Sequence, residues 1–280
     1  ASANHFCAVH AWLYRTYTAI NLEYPSNVPR PRIVIYDFGL YGWQISLLNS
    51  LKSAGFLTEL RKFDYSKYPD FWDIRIHKGE YGWKVGALSE IVRDFPGIVV
   101  WLDSGSLMRT PFLRNIENLL VKDKCIASPR SAATLFVWTH PGMYDYYGVP
   151  QPEEFRDVEN CSSGVLVFNT HTAGKLLEDW LDCALHKDCI APPGSSRKNH
   201  RQDQSAFTYL SAREGCFCNL TAAEFNVMNH MDYQCAENVV RFEQLNSVPW
   251  NITEYDRLRM KKTKSRRRGP WWDLLWEVKP

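Results

Sequence analysis

The chain has 280 residues, enough for one large α/β domain or two small ones. Hydrophobic residues make up 45% and charged residues 23%, a balance that excludes a wholly disordered chain. The longest apolar run that stands out, Ile98 to Leu102, is five residues, against the roughly 18 needed to span a bilayer. The net charge of +2 is unevenly spread: residues 1–256 carry 24 Lys/Arg against 29 Asp/Glu, and residues 257–268, from Arg257 to Arg268, then supply eight basic side chains and no acid. That run reads as a solvated tail or as a contact for anionic lipid, glycan or nucleic acid. A nucleic-acid role also needs a recognition module, and the sequence holds none.

In chain order, Ile33–Tyr36 is expected as a short strand and Gln44–Ala54 as a helix stopped by Gly55. Thr58–Phe63 is a second strand. Tyr81–Phe95 has helical spacing and ends at Pro96-Gly97, and Ile98–Leu102 follows as a buried strand. Val165–Phe168 is another short strand, with a helix from about Ala173 to Leu185 after it. Ala191–Arg201, rich in Pro, Gly, Ser and basic residues, is a loop, and Asp203–Arg213 a helix. There is no internal repeat. This alternation predicts an α/β fold: a single domain over residues 1–256 with a mostly parallel, mixed central sheet flanked by helices, Rossmann-like, and a basic, Trp-rich segment over 257–280. In such sheets the ligand sits at the carboxyl ends of the strands. Near the end, Trp271, Trp272 and Trp276 either pack back on the domain or form a platform for a flat or sugar-like ligand.

Eight cysteines, with no Cys-x-x-Cys pair, favour disulfides over a zinc ribbon or thioredoxin-like motif. Asn-x-Ser/Thr sequons at Asn160, Asn219 and Asn251 point the same way, although Asn160 is placed close to the core. Together they indicate an oxidising, secretory compartment. No signal peptide is visible at Ala1, so a removed signal or anchor is the route left open to a membrane.

The densest chemical signal runs from Tyr81-Gly-Trp-Lys84 to Asp103-Ser104-Gly105. On the helix, Lys84, Leu88, Ile91 and Phe95 share one stripe, so Lys84 lies on the face that otherwise buries apolar residues. It must snorkel out or meet an anion. A helix followed by a turn and a strand runs antiparallel to that strand, which puts Lys84 at the helix start beside Asp103 at the strand end. An amine and a carboxylate facing one cleft suit a diphosphate and a metal ion. The plainer reading makes Asp-Ser-Gly a surface turn.

A second cluster is Ser163-Gly164 leading into the apolar strand, followed by Asp203-Gln204 at a helix start. The small pair lets a ligand approach the backbone. Asp203 can face the cleft, cap its helix, or do both. Asp37-Phe-Gly39 follows the first strand at the same edge, where a glycine-containing strand exit is the alternative.

In this order, these motifs resemble glycosyltransferases of the GT-A fold, glycogenin- and galactosyltransferase-like members in particular. The matched segments lie between residues 33 and 213. There, an apolar strand ends in Asp-x-Asp, a preceding helix offers a basic residue, a later strand opens with Ser-Gly, and Asp-Gln follows. The resemblance implies that Asp103, Ser104, Gly105, Lys84, Ser163, Gly164, Asp37 and Gly39 face a nucleoside-diphosphate sugar, and that Asp203 and Gln204 serve the reacting centre. It further implies a divalent cation, Mn²⁺ or Mg²⁺, on Asp103 with a late histidine, for which His230 is the candidate. The implied activity is transfer of a hexosyl group, with a weak lean toward retention, to a hydroxyl of a glycan, glycoprotein or glycolipid in the secretory pathway, the Golgi foremost. One departure matters: Gly105 replaces the second acid of Asp-x-Asp, which puts metal dependence in question and leaves Lys84, Arg109 or Arg201 as cations for the leaving diphosphate. Two other readings stay open, a non-catalytic sugar-binding relative and a metal-dependent hydrolase using Asp103. Serine-hydrolase and Walker-type readings fail because neither motif occurs.

Overall fold

The computed structural model describes residues 1–24, 27–109, 111–123 and 126–246. The sequon at Asn251, the basic run and the three late tryptophans fall outside them. In chain order the elements are α1 (Phe6–Glu23), β1 (Val34–Asp37), α2 (Gly42–Ser53), β2 (Glu59–Lys62), α3 (Gly82–Asp94), β3 (Ile98–Leu102), β4 (Leu107–Met108), α4 (Phe112–Asp123), β5 (Ile126–Ala127) and β6 (Arg130–Thr134). They continue as α5 (Leu135–Trp138), α6 (Pro141–Tyr146), β7 (Glu159–Cys161), β8 (Val165–Asn169), α7 (Gly174–Leu185), α8 (Lys187–Ile190), α9 (Asp203–Arg213), β9 (Val227–Met228) and α10 (Cys235–Asn246). The fold is mixed α/β, and every element expected from the sequence is present within a residue or two of its expected bounds. The chain groups into two compact units: one of residues 1–61, 104–114 and the described residues from 226 on, the other of residues 62–103 and 115–225.

The first unit is built on α1, which sequence periodicity did not single out. Most of its described side chains are buried, polar ones such as His10, Arg15 and Thr16 included, so no polar face marks a helical repeat. Phe6, Leu13 and Tyr14 pack with Leu48 and Leu51 of α2, Phe56, and Val239 and Phe242 of α10. Tyr14 stacks on Phe242 with ring centroids 4.2 Å apart and donates to Glu243 at 3.0 Å. The Cys7–Cys235 disulfide ties α1 to the start of α10. β1 pairs with β2, and β4 with β9 in antiparallel register, Leu107 opposite Met228.

The second unit holds the sheet β3–β8–β5, with β8 at its centre and Val165 to Phe168 fully buried. Both of its ladders are antiparallel, Leu102 facing Val165 and Ile126 facing Phe168, and β6 pairs antiparallel with β7. The central sheet and flanking helices match expectation; the mostly parallel order does not hold for these pairs. A parallel order needs a crossover that carries the chain back to the other end of the sheet; here more than sixty residues separate β3 from β8, and the chain re-enters the sheet at the end where β3 leaves it.

Trp72 anchors α3. Its indole donates to Ala184 O at 2.8 Å, and a Cβ on Gly82 or Gly86 would lie 2.2 or 2.5 Å from its ring atoms, so glycine there is a packing requirement. Before α3, His77 to Tyr81 all have positive φ, between 43° and 65°. For non-glycine residues this left-handed turn costs roughly 1–2 kcal/mol each. Disulfides Cys161–Cys218 and Cys183–Cys189 close the unit locally, Cys216 is also disulfide-bonded, and no described cysteine is free. Asn160 is fully buried and accepts from the Thr208 hydroxyl at 2.8 Å, so its sequon is closed in the fold. Asn219 lies exposed between Cys218 and Thr221.

Candidate functional site

Antiparallel pairing of β3 with β8 sets the end of one strand beside the start of the other. The ladder runs one residue further, Asp103 N–H donating to Gly164 O at 2.8 Å. Asp103 and Ser163-Gly164 therefore meet, and the third residue of α3 arrives at the same place.

That residue is Lys84. Its side chain is 4% exposed, and its ammonium lies 3.1 Å from Asp203 Oδ2 and 3.4 Å from Asp103 Oδ1. It also donates to the carbonyl and hydroxyl of Ser163, both at 3.3 Å. Burial pushes the Lys84 pKa down, but the Asp103 and Asp203 carboxylates outweigh it and hold the amine above its ordinary value. The lysine does not snorkel; it is a buried, charged hub.

The two carboxylates differ. Asp203 opens α9 and its side chain is 3% exposed. It is the first helical residue, with Gln202 at the cap and no side-chain capping bond there, so the N-cap alternative gives way to an ion pair. The Trp180 indole donates to Asp203 O at 3.0 Å and steadies the helix start. Asp103 is 44% exposed at its side chain, and the Trp101 indole donates to its Oδ1 at 2.8 Å. Its Oδ2 is left for a ligand. Gln204, one position into α9 from Asp203, is half-buried.

Two carboxylates against one ammonium leave this cluster with one surplus negative charge. A bare diphosphate is repelled by it; a cation, a cation-bound diphosphate, or a carbon gaining positive charge is attracted. Among the described residues no three His, Cys, Asp or Glu side chains cluster to hold a metal. A donor set of one open carboxylate oxygen, Asp103 Oδ2, fits a hard ion that keeps waters and phosphate oxygens, such as Mg²⁺ or Mn²⁺, and does not fit zinc.

The remaining expected residues belong to the first unit. Asp37 Oδ1 accepts from Gly39 N–H at 2.8 Å and Leu40 N–H at 2.6 Å. With Gly39 at φ +118°, this is an Asx-type strand exit. Gly105 is buried, and its carbonyl accepts from Met231 N–H at 2.8 Å. A Cβ at 105 would stand 2.2 Å from Asp232 Oδ2; the space of the missing second acid is filled by another carboxylate. Ser104 is half-buried, and His230 is exposed with φ +59°. Of the alternative cations, Arg201 stacks on the Trp138 ring at 3.8 Å.

Sequence reasoning missed Trp101, Asp232, Glu80 and Gln202. Only Trp101 carried a usable signal: two residues before Asp103 on one strand, it shares that residue's face. Gln202 donates to Glu80 across 122 positions, a pairing no local pattern encodes.

No protein-family model and no curated protein matches the chain. Solved structures do. The galactosyltransferase LgtC, in complex with donor and acceptor sugar analogs, is 15% identical over 92% of this chain and 98% of its own, with a TM-score of 0.49. The bifunctional glycosyltransferase WbbM in its apo form is 13% identical over 95% of this chain and 51% of its own (TM-score 0.46). Mouse xyloside xylosyltransferase 1, also apo, is 13% identical over 77% and 80% (TM-score 0.41). Identities this low, with TM-scores under 0.5, leave the functional reading to the side chains themselves.

Proposed function

We propose that the chain is a GT-A-like glycosyltransferase, its catalytic domain spanning residues 1–256, which moves a hexosyl group from a nucleoside-diphosphate sugar to a hydroxyl of a glycan, glycoprotein or glycolipid. The observation that carries this reading is the buried Asp103–Lys84–Asp203 cluster, formed where β3 ends and α3 and α9 begin.

Glycosyl transfer develops positive charge at the anomeric carbon while a diphosphate departs. The surplus negative charge of the cluster favours the first event. Lys84 acts as a positioning residue, holding Asp203 in one orientation so that no reorganisation is needed at the moment of reaction. Ser163 and Gly164 present backbone and a small side chain, which allows close approach of the donor. Gln204 offers an amide beside Asp203, and the Asp203-Gln204 resemblance supports retention of configuration. A divalent cation, when bound on Asp103, neutralises the leaving diphosphate. The described disulfides support a secretory compartment, with the Golgi lumen as the proposed site of action.

The test is a panel of UDP- and GDP-sugars screened by thermal shift with and without Mn²⁺, then assayed for transfer and donor hydrolysis. One nucleotide sugar should raise the melting temperature, and Asp203→Asn should lower turnover about 10²–10³-fold. No stabilisation by any donor and no turnover refutes the reading. Gly105 favours one rival, a sugar-binding relative without activity, because the second acid is absent; that rival gives binding without turnover.

A further inference from the structure

Beside the charge cluster, the chain leading into α3 and α9 carries a second group of side chains that none of the steps above uses. Gln202 Nε2 donates to Glu80 Oε2 at 3.3 Å. Gln202 is 5% exposed, and its amide oxygen is buried with no hydrogen-bond partner. Its backbone is strained as well, with φ +43° and ψ −115°, and Glu80 sits in the left-handed turn before α3. Strain held at both ends of one hydrogen bond, next to a charged site, is characteristic of binding elements. Tyr81, adjacent to Glu80, has the Arg197 guanidinium 5.0 Å above its ring, and Arg201, adjacent to Gln202, covers Trp138. Glu80, Tyr81 and Trp138 are each half-buried, so a ligand can reach them.

We propose that Glu80 and Gln202, flanked by Tyr81 and Trp138, form the saccharide-reading part of the site, an inference that rests on the glycosyl-transfer reading and adds the residues that select the sugar. The Gln202 amide oxygen and the Glu80 carboxylate are both acceptors, so their ligand must be rich in donors. Phosphate offers only acceptors and repels Glu80; a polyhydroxylated sugar supplies several O–H groups at adjacent positions. The ring faces that Arg197 and Arg201 do not cover suit the apolar face of a pyranose. The orphaned amide oxygen can take a hydrogen bond from an arriving hydroxyl, which makes it selective: a site built to bond a hydroxyl rejects analogues that lack it. Gln202 precedes Asp203 directly and Glu80 lies four positions before Lys84, so a sugar held here stands beside the charge cluster. It belongs either to the donor or to the acceptor.

The experiment uses the full chain and calorimetric titration with UDP alone, with UDP-glucose, UDP-galactose and UDP-N-acetylglucosamine, and with lactose, maltose and chitobiose. Gln202→Leu should weaken the best sugar probe by about 10- to 100-fold and change UDP binding less than about twofold. Loss on a nucleotide sugar assigns the pair to the donor, and loss on a free disaccharide assigns it to the acceptor. Glu80→Gln, at a half-exposed position that tolerates the change, should weaken the same probe about tenfold and gives the answer if Gln202→Leu misfolds. Unchanged binding of every sugar probe in both variants overturns the proposal, as does a loss of UDP affinity equal to that for the sugar. A wild-type protein that binds a disaccharide but neither UDP nor any UDP-sugar, and no GDP-sugar of the donor panel, refutes glycosyl transfer and leaves the saccharide subsite standing. One that binds no sugar probe refutes the subsite.

Discussion

Replacing Lys84 by Met removes the ammonium from a site where Asp203 has almost no solvent. Its carboxylate, 3% exposed, loses the ammonium 3.1 Å away, and an uncompensated buried charge of this kind costs about 3–5 kcal/mol. Asp103, at 44% side-chain exposure, is rehydrated by water and adds little. Set against a total stability of about 5–15 kcal/mol, the loss is large enough to measure by urea unfolding followed through tryptophan fluorescence. Lys84→Met/Asp203→Leu should recover most of it, because an apolar pair of similar volume replaces a buried ion pair at little cost. The Lys84 pKa is raised, so its contribution is present at all pH below the ordinary lysine value and is lost only as pH climbs through the folded one; neutral buffer is therefore the right condition. A single-mutant loss under about 1 kcal/mol, or a double mutant no more stable than the single, would show that Asp203 is hydrated and that Lys84 does not hold it.

Restoring the second acid of Asp-x-Asp by Gly105→Asp should destabilise the first unit by about 1–3 kcal/mol, since the new Cβ arrives 2.2 Å from Asp232 Oδ2 and brings a like charge. Asp232→Gly in the same chain should relieve it, and a Gly105→Asp protein that melts like wild type contradicts the geometry. His10 is buried between Phe6 and Tyr14 with neither ring nitrogen hydrogen-bonded, and burial lowers its pKa to about 3. The unfolded chain takes up a proton there below about pH 6.5 that the folded chain refuses. The stability is thus complete above 6.5 and falls by up to about 1.4 kcal/mol per pH unit on the way down to 3. His10→Phe should about halve the dependence of melting temperature on pH between 6.5 and 4.5, leaving the comparable slope of His200, itself lowered to about 4 by burial. Identical slopes in variant and wild type refute this account.

The parts of the site legible in the sequence were those encoded by local period. A helical repeat placed Lys84 among apolar residues, and the rule that a helix runs antiparallel to the strand after it brought Asp103 to the same edge. Asp203 was legible as a helix start but not as an ion-pair partner, because a carboxylate at that place has a local use that hides the distant one. The antiparallel order of the sheet was hidden by the long connection between β3 and β8. Gly105 looked like a lost acid, and only three-dimensional packing shows Asp232 in its place. The left-handed turn from His77 to Tyr81 had a single glycine to announce it, since four of its five residues disfavour that conformation. Strain of that sort is imposed by the surroundings and leaves no trace in composition.

The Cys7–Cys235 bond joins positions 228 apart, and this sets a timetable for biogenesis. At ordinary translation speeds of about 5–20 residues per second, the second thiol is made roughly 10–45 seconds after the first. Throughout that interval the helix bearing Cys7 has α2 against it but lacks α10, while other thiols of the chain become available before the correct one. Wrong linkages formed early must be broken by thiol exchange before the molecule can finish. Yield in a cell should therefore depend on disulfide isomerase capacity more than on intrinsic stability, and a host without that capacity should deliver scrambled rather than unfolded protein.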